Sequence, residues 1–140
     1  MEALIANGTC VEIRSPRKPE WVDENRDNPL RDWDGRDHIS PVRYRKSVAH
    51  YRTTRRAVIV ALAPEGIASA TETLTKLGRK FADAFNRLGS GRNPFIETEE
   101  REELFASLVA AVAAAEAHHG QQFSQAADAL AEGAEEVRIW

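Results

Sequence analysis

The sequence predicts an α+β domain, a small antiparallel sheet from the N-terminal half packed against two or three C-terminal α-helices. Three observations predict it. Asn7-Gly8 lies between short apolar pairs, Val58-Ile59-Val60 is a β-branched run closed by Pro64, and from Ile67 onward apolar residues recur at spacings of three and four. A chain of 140 residues suits one domain spanning 1–140, strand-rich over 1–63 and helical over 64–136. A chain of this length buries roughly 68–70% of its unfolded surface, so it needs neither disulfides nor a metal to fold.

The elements follow in order. Ala3–Ile13 reads as a β-hairpin, because a type I′ turn needs positive φ at both central residues and Asn-Gly supplies it. Residues 15–41 hold four prolines and many Asp, Asn and Arg residues. They read as a long loop pinned to the core by Trp21 and Trp33. Val42, Tyr44 and Val48 alternate with polar residues as a strand does, and Ala57–Ala63 suits a central strand. The first helix carries the stripe Ile67, Ala70, Leu74, Leu77, Phe81, Ala84 and Leu88, with Ser69 and Glu72 at capping-box spacing. Gly89-Ser90-Gly91 ends it. A second helix starts near Asn93-Pro94 or Thr98, with the stripe Phe105, Val109, Val112, Glu116 and His119. Leu74, Leu77 and Phe81 are expected to face Val109 and Val112.

At Gly120 two readings stand. A break gives a third helix over about 121–135, with Phe123, Ala127, Leu130 and Ala134 inward. Continuity gives one long bent helix, because the stripe crosses Gly120 in phase and one glycine costs only ~1 kcal/mol. The long helix would leave a face for a second copy, so a homo-oligomer is one expectation. The tail 137–140 either adds an edge strand or packs back.

The net charge of −3 hides an asymmetry. Residues 38–92 sum to +8 and residues 93–140 to −8. The densest positive stretch is 43–56, with six cations, two tyrosines and no acid. Its candidate binding residues are Arg43, Tyr44, Arg45, Lys46, Tyr51, Arg52, Arg55 and Arg56. Fixed cations can neutralise phosphates and tyrosine planes can stack on unpaired bases, which points to nucleic acid. The same cations suit another protein with an acidic surface, or the acidic 23–37 segment of this chain. Arg79, Lys80, Arg87 and Arg92 have a structural explanation, as neighbours of Glu97–Glu103 across a helical hairpin.

Other constellations fall short of a chemistry. Glu116 and His119 have the Glu-x-x-His spacing of carboxylate metal bundles, which need it twice. Asp32-Trp33-Asp34-Gly35 resembles part of a calcium loop, but Leu30 and Pro41 stand at two obligatory ligand positions. Ala63-Pro64-Glu65-Gly66 lacks the glycines and lysine of a phosphate loop. His38 and His50 have no base-orienting partner in the sequence. No catalytic residue, metal or cofactor is expected.

The lone Cys10, the absence of a signal-like start and the absence of any ~20-residue apolar run point to a cytoplasmic protein. Fifteen Arg against four Lys, with abundant alanine, fit a bacterial or phage setting. The functional expectation is a small non-catalytic protein-binding module, regulatory, inhibitory or part of an assembly. The alternative is a nucleic-acid binder using 43–56.

Overall fold

Ser40-Pro41 opens a helix where the sequence reading placed the end of a loop. In the computed structural model, which describes residues 17–62, 70–90 and 94–140, Ser40 Oγ accepts from the Arg43 amide at 3.1 Å. Pro41 fills the first turn, where its missing N–H is no loss. Among the described residues there are five α-helices: α1 (Pro19–Glu24), α2 (Pro41–Ala61), α3 (Thr71–Leu88), α4 (Thr98–His119) and α5 (Ala126–Val137), with a 3-10 turn at Arg31–Trp33.

The α+β expectation is therefore overturned. Among the described residues there is no strand, and both expected strands, 42–48 and 57–63, belong to α2 as far as the chain is described. The buried residues of α2 are Ser47, Val48, Tyr51, Thr54 and Val58. Their spacing is helical, yet two of the five are hydroxyl residues, so the apolar period was hidden and the β-branched run prevailed. Among the described residues, the expected strand-rich half holds helices and turns instead. The expected hairpin at 3–13 and Cys10 lie outside the described residues.

The long helices close a four-helix bundle in the order α2, α3, α5, α4. Helices α2 and α4 run one way: their starts meet through Arg36 and Glu100, and their ends meet where His119 Nε2 donates to the Ile59 carbonyl at 2.7 Å. Helices α3 and α5 run the other way, Gly78 lying on Leu130–Ala134 and Asn86 on Val137. Leu74, Phe81 and Phe85 of α3, Leu104, Leu108 and Ala115 of α4, and Leu130 of α5 fill the centre. No described helix is long and apolar enough to cross a membrane.

The helical expectations need one correction. The inner seam of α4 is Leu104, Leu108, Ala111, Val112 and Ala115, so Phe105 is only half-buried and Val109 is 57% exposed. Leu77 likewise sits at the edge of the core rather than inside it. Gly120 ends α4 in the left-handed region (φ 70°), which few side chains tolerate. The break reading holds, and the continuous helix that motivated a homo-oligomer does not exist. The tail packs back: Asn86 clasps Val137 and Ile139, and Trp140 Nε1 donates to the Ala82 carbonyl at 3.2 Å.

Residues 17–40 form a strap along α2 and α4, from the middle of both helices to their starts. Leu30, Trp33 and Ile39 bury their side chains, and Trp33 meets Phe85 and Phe95 edge-on. Asn28, fully buried, accepts from the Leu30 amide at 3.0 Å and donates to Asn25 and Tyr44. The expected Trp33 anchor is real, but the segment is built from turns and short helices.

Candidate binding surface

Folding 43–56 as a helix distributes its side chains around the full circumference. Tyr51, 2% exposed, is a core residue. Arg43 lies over the Phe95 ring at 5.0 Å. Arg55 pairs with Asp27 at 3.0 Å, Arg52 Nη2 donates to the Glu24 carbonyl, and Tyr44 bonds Asn28 and Asn25. Arg45, Lys46 and Arg56 remain exposed on the outer face. The structure thus divides the eight candidates. Some tie the acidic strap to α2, as the intramolecular reading anticipated, and others face solvent.

Arg45, Arg52 and Arg56 share a flank with Trp21, Asn25 and Tyr44, and together they border a groove of about 460 Å³ between α1 and α2. Val48, Ala49 and Thr53 also line it, and among the described residues the lining contains no carboxylate. Trp21 carries Arg17 over its ring at 4.5 Å, so one aromatic face is already covered by a cation. Trp21 was expected only as an anchor; nothing local in the sequence marks it as a groove wall.

The groove wall is held by Asn28 and Tyr44 on Asn25 and by Arg52 on Glu24, and the far end of the strap by charges. Arg36 Nη1 donates to Glu100 Oε2 at 2.7 Å and to Glu103 Oε1 at 2.8 Å, while Nη2 donates to Glu103 Oε2 at 2.9 Å. Trp33 Nε1 adds a bond to Glu103 at 2.9 Å, and His38 Nε2 lies 2.9 Å from Glu100 Oε2. Burial pushes the Glu100 carboxyl up, but the Glu97 amide, His38 and Arg36 together hold it below its ordinary value. Glu103 is also held low, chiefly by Arg36, against burial and with help from Trp33. The expected pairing of these glutamates with α3 is replaced: Arg79 pairs with Glu136 and Arg87 with Asp83.

This cluster also brings donor atoms of His38, Glu97 and Glu100 within 4.8 Å of one another. Both oxygens of Glu100 are already engaged, Oε2 by Arg36 Nη1 at 2.7 Å and Oε1 by the Glu97 amide at 3.0 Å. Glu116 and His119 are engaged too: Glu116 Oε2 accepts from the Phe123 amide at 2.9 Å, and the His119 bond to Ile59 makes Nε2 the protonated nitrogen. In the Asp32–Asp37 stretch, Gly35 adopts φ 93° and Asp34 pairs with Arg17. That stretch is a polar turn.

Charge is segregated between the two sides of the bundle. Helices α2 and α3, which are neighbours, carry ten bases and two acids; α4 and α5 carry one base and nine acids. Burial, with Arg87 and Lys46 nearby, pushes His50 on the basic side below its usual range. Fold and surface define a class: a four-helix bundle with a strap-walled, cation-edged groove. Compared with known proteins, the chain matches no protein family, no curated protein and no solved structure.

Proposed function

We propose that the protein is a non-catalytic binding module that takes an acidic segment of a protein partner in the α1/α2 groove. One observation carries this reading: Arg45, Arg52 and Arg56 edge a groove floored by Val48 and Ala49, with no carboxylate among the described residues of its lining. A segment with two or three carboxylates and one apolar side chain satisfies both the edge and the floor. Rim cations of this kind chiefly steer encounter, while the apolar anchor sets lifetime. Nucleic acid fits less well, since base stacking needs open aromatic faces. Tyr51 is buried, Tyr44 is half-buried and hydrogen-bonded, and Trp21 is covered on one face.

The test is a binding titration with labelled peptides of alternating Asp and Glu around one leucine, beside mixed-sequence single- and double-stranded oligonucleotides, at low and physiological salt. The peptide is expected to bind at both, and the double variant Arg45→Ala/Arg56→Ala to weaken it by about tenfold, the equivalent of ~1.4 kcal/mol. Oligonucleotide binding with a steep salt slope, and a silent peptide, would establish the nucleic-acid alternative instead.

A further inference from the structure

A second surface lies on the other flank of α2, along its seam with α3. One end is lined by Ala57, Val60, Ala61, Thr73 and Leu77; the other by Ala49, His50, Ala84 and Leu88. This valley is apolar along its floor, and Val60 stands 76% exposed. Lys46, Arg56 and Arg87 edge it. Lys76 and Lys80, exposed on the same side of α3, make no ion pair among the described residues.

The opposite side of the bundle presents the complement. Glu102, Ala106, Val109 and Ala113 fall at helical spacing on the exposed stripe of α4. Asp128 and Glu132 lie exposed on α5 beside it. Glu102, Asp128 and Glu132 also make no ion pair among the described residues. Val109 is the large apolar side chain on this face, standing among alanines.

We propose that the α4/α5 face of one copy docks into the α2/α3 valley of a second copy. Val109 enters the hollow at Ala57, Val60 and Leu77, and the carboxylates of α4 and α5 meet Lys76, Lys80 and Arg56. The occupant is argued from the charges left without an ion pair among the described residues: Arg56, Lys76 and Lys80 on one face, Glu102, Asp128 and Glu132 on the other. A partner of either single sign would satisfy only one face, whereas a second copy satisfies both. The two faces lie on opposite sides, so the contact is heterologous and leaves each copy with one face open. Helix α2 has 21 residues, about 31 Å, and a valley two helices wide offers about 600 Å² per copy, the lower end for a specific interface. Association is therefore concentration-dependent and salt-sensitive rather than obligate.

Sedimentation velocity of the whole chain, from low to high micromolar concentration and at low and high salt, tests this. The wild type is expected to grow past dimer mass with concentration at low salt and to return towards monomer at high salt. Lys76→Glu/Lys80→Glu and Asp128→Lys/Glu132→Lys each remove the association, weakening it by about a hundredfold. Mixing the two variants restores it, because each now carries the complement of the other. All four positions are exposed, and an unchanged thermal midpoint by circular dichroism confirms that each variant folds. A wild type that stays monomeric at low salt overturns the proposal, as does association that both reversals leave unchanged, or a mixture that stays monomeric. Arg56 borders both surfaces, so the separation rests on Lys76→Glu/Lys80→Glu: this variant is expected to lose association while binding the acidic peptide as the wild type does, and loss of both would place the peptide in the valley.

Discussion

The α3/α5 seam and the strap on α4 are held by opposite means. In the seam the backbones nearly touch: a Cβ on Gly78 would lie 2.0 Å from the Leu130 carbonyl oxygen, and one on Gly133 would lie 2.0 Å from that of Thr75. The Arg79–Glu136 ion pair spans the exposed edge of the seam, but its core is backbone against backbone. The strap is fastened instead by Arg36, His38 and Trp33 on two carboxylates, one of them 1% exposed. The core of the seam depends on shape; the strap depends on charge. The difference matters because the strap carries Trp21 and Asn25, which wall the proposed binding groove.

The largest effect should come from the seam. Gly78→Leu would push a branched side chain into backbone, not into a side chain able to turn away, at a cost above the ~1–3 kcal/mol of ordinary overpacking. The expected outcome is loss of the cooperative thermal transition by circular dichroism. A native-like melt would show that the two helices can part without harm. On the strap side, Arg36→Met leaves Glu100 buried without its guanidinium, and about 3–5 kcal/mol is the usual cost of breaking such a pair. Chemical denaturation measures it, and a change under ~1 kcal/mol would reduce the network to surface decoration.

Acid should separate the two regions. Glu100 and Glu103 are held low in the folded state, so their contribution is complete above the unfolded carboxylate value, near 4.3. It is lost as pH falls through their folded values. Hydrogen exchange along an acid titration should therefore release the strap amides before those of α3 and α5. Simultaneous release would erase the distinction. The smallest effect belongs to Arg55→Ala, which removes a half-exposed ion pair with Asp27 and should cost no more than ~1 kcal/mol.

The parts legible in the sequence are those with local causes. Helix α3 was readable from Leu74, Leu77 and Phe81, and the left-handed cap of α4 from Gly120, because periodicity and a glycine stop act within a few residues. Helix α2 was not, since Ser47 and Thr54 occupy core positions and Val58-Ile59-Val60 favours a strand until tertiary packing overrides it. The seam of α4 was read one residue out, because an alanine-rich stretch offers little contrast between Val109 and Leu108. For the site, the concentration of cations on 43–56 was visible; pairing with the acidic 23–37 segment was one of several readings, and the structure gives it for Arg55 with Asp27. Which cations turn outward was not, and no local signal joins Arg36 to Glu100 and Glu103 across more than sixty residues.

The central claim is that the α1/α2 groove is a binding surface for acidic protein segments. An amide chemical-shift map recorded while the acidic peptide is added tests it most directly. The account predicts changes clustered at Trp21, Asn25, Ala49, Thr53 and Arg56, saturating with the peptide, while α5 and the α3/α5 seam stay fixed. Changes centred on α4 and α5, or none at saturating peptide, would contradict it.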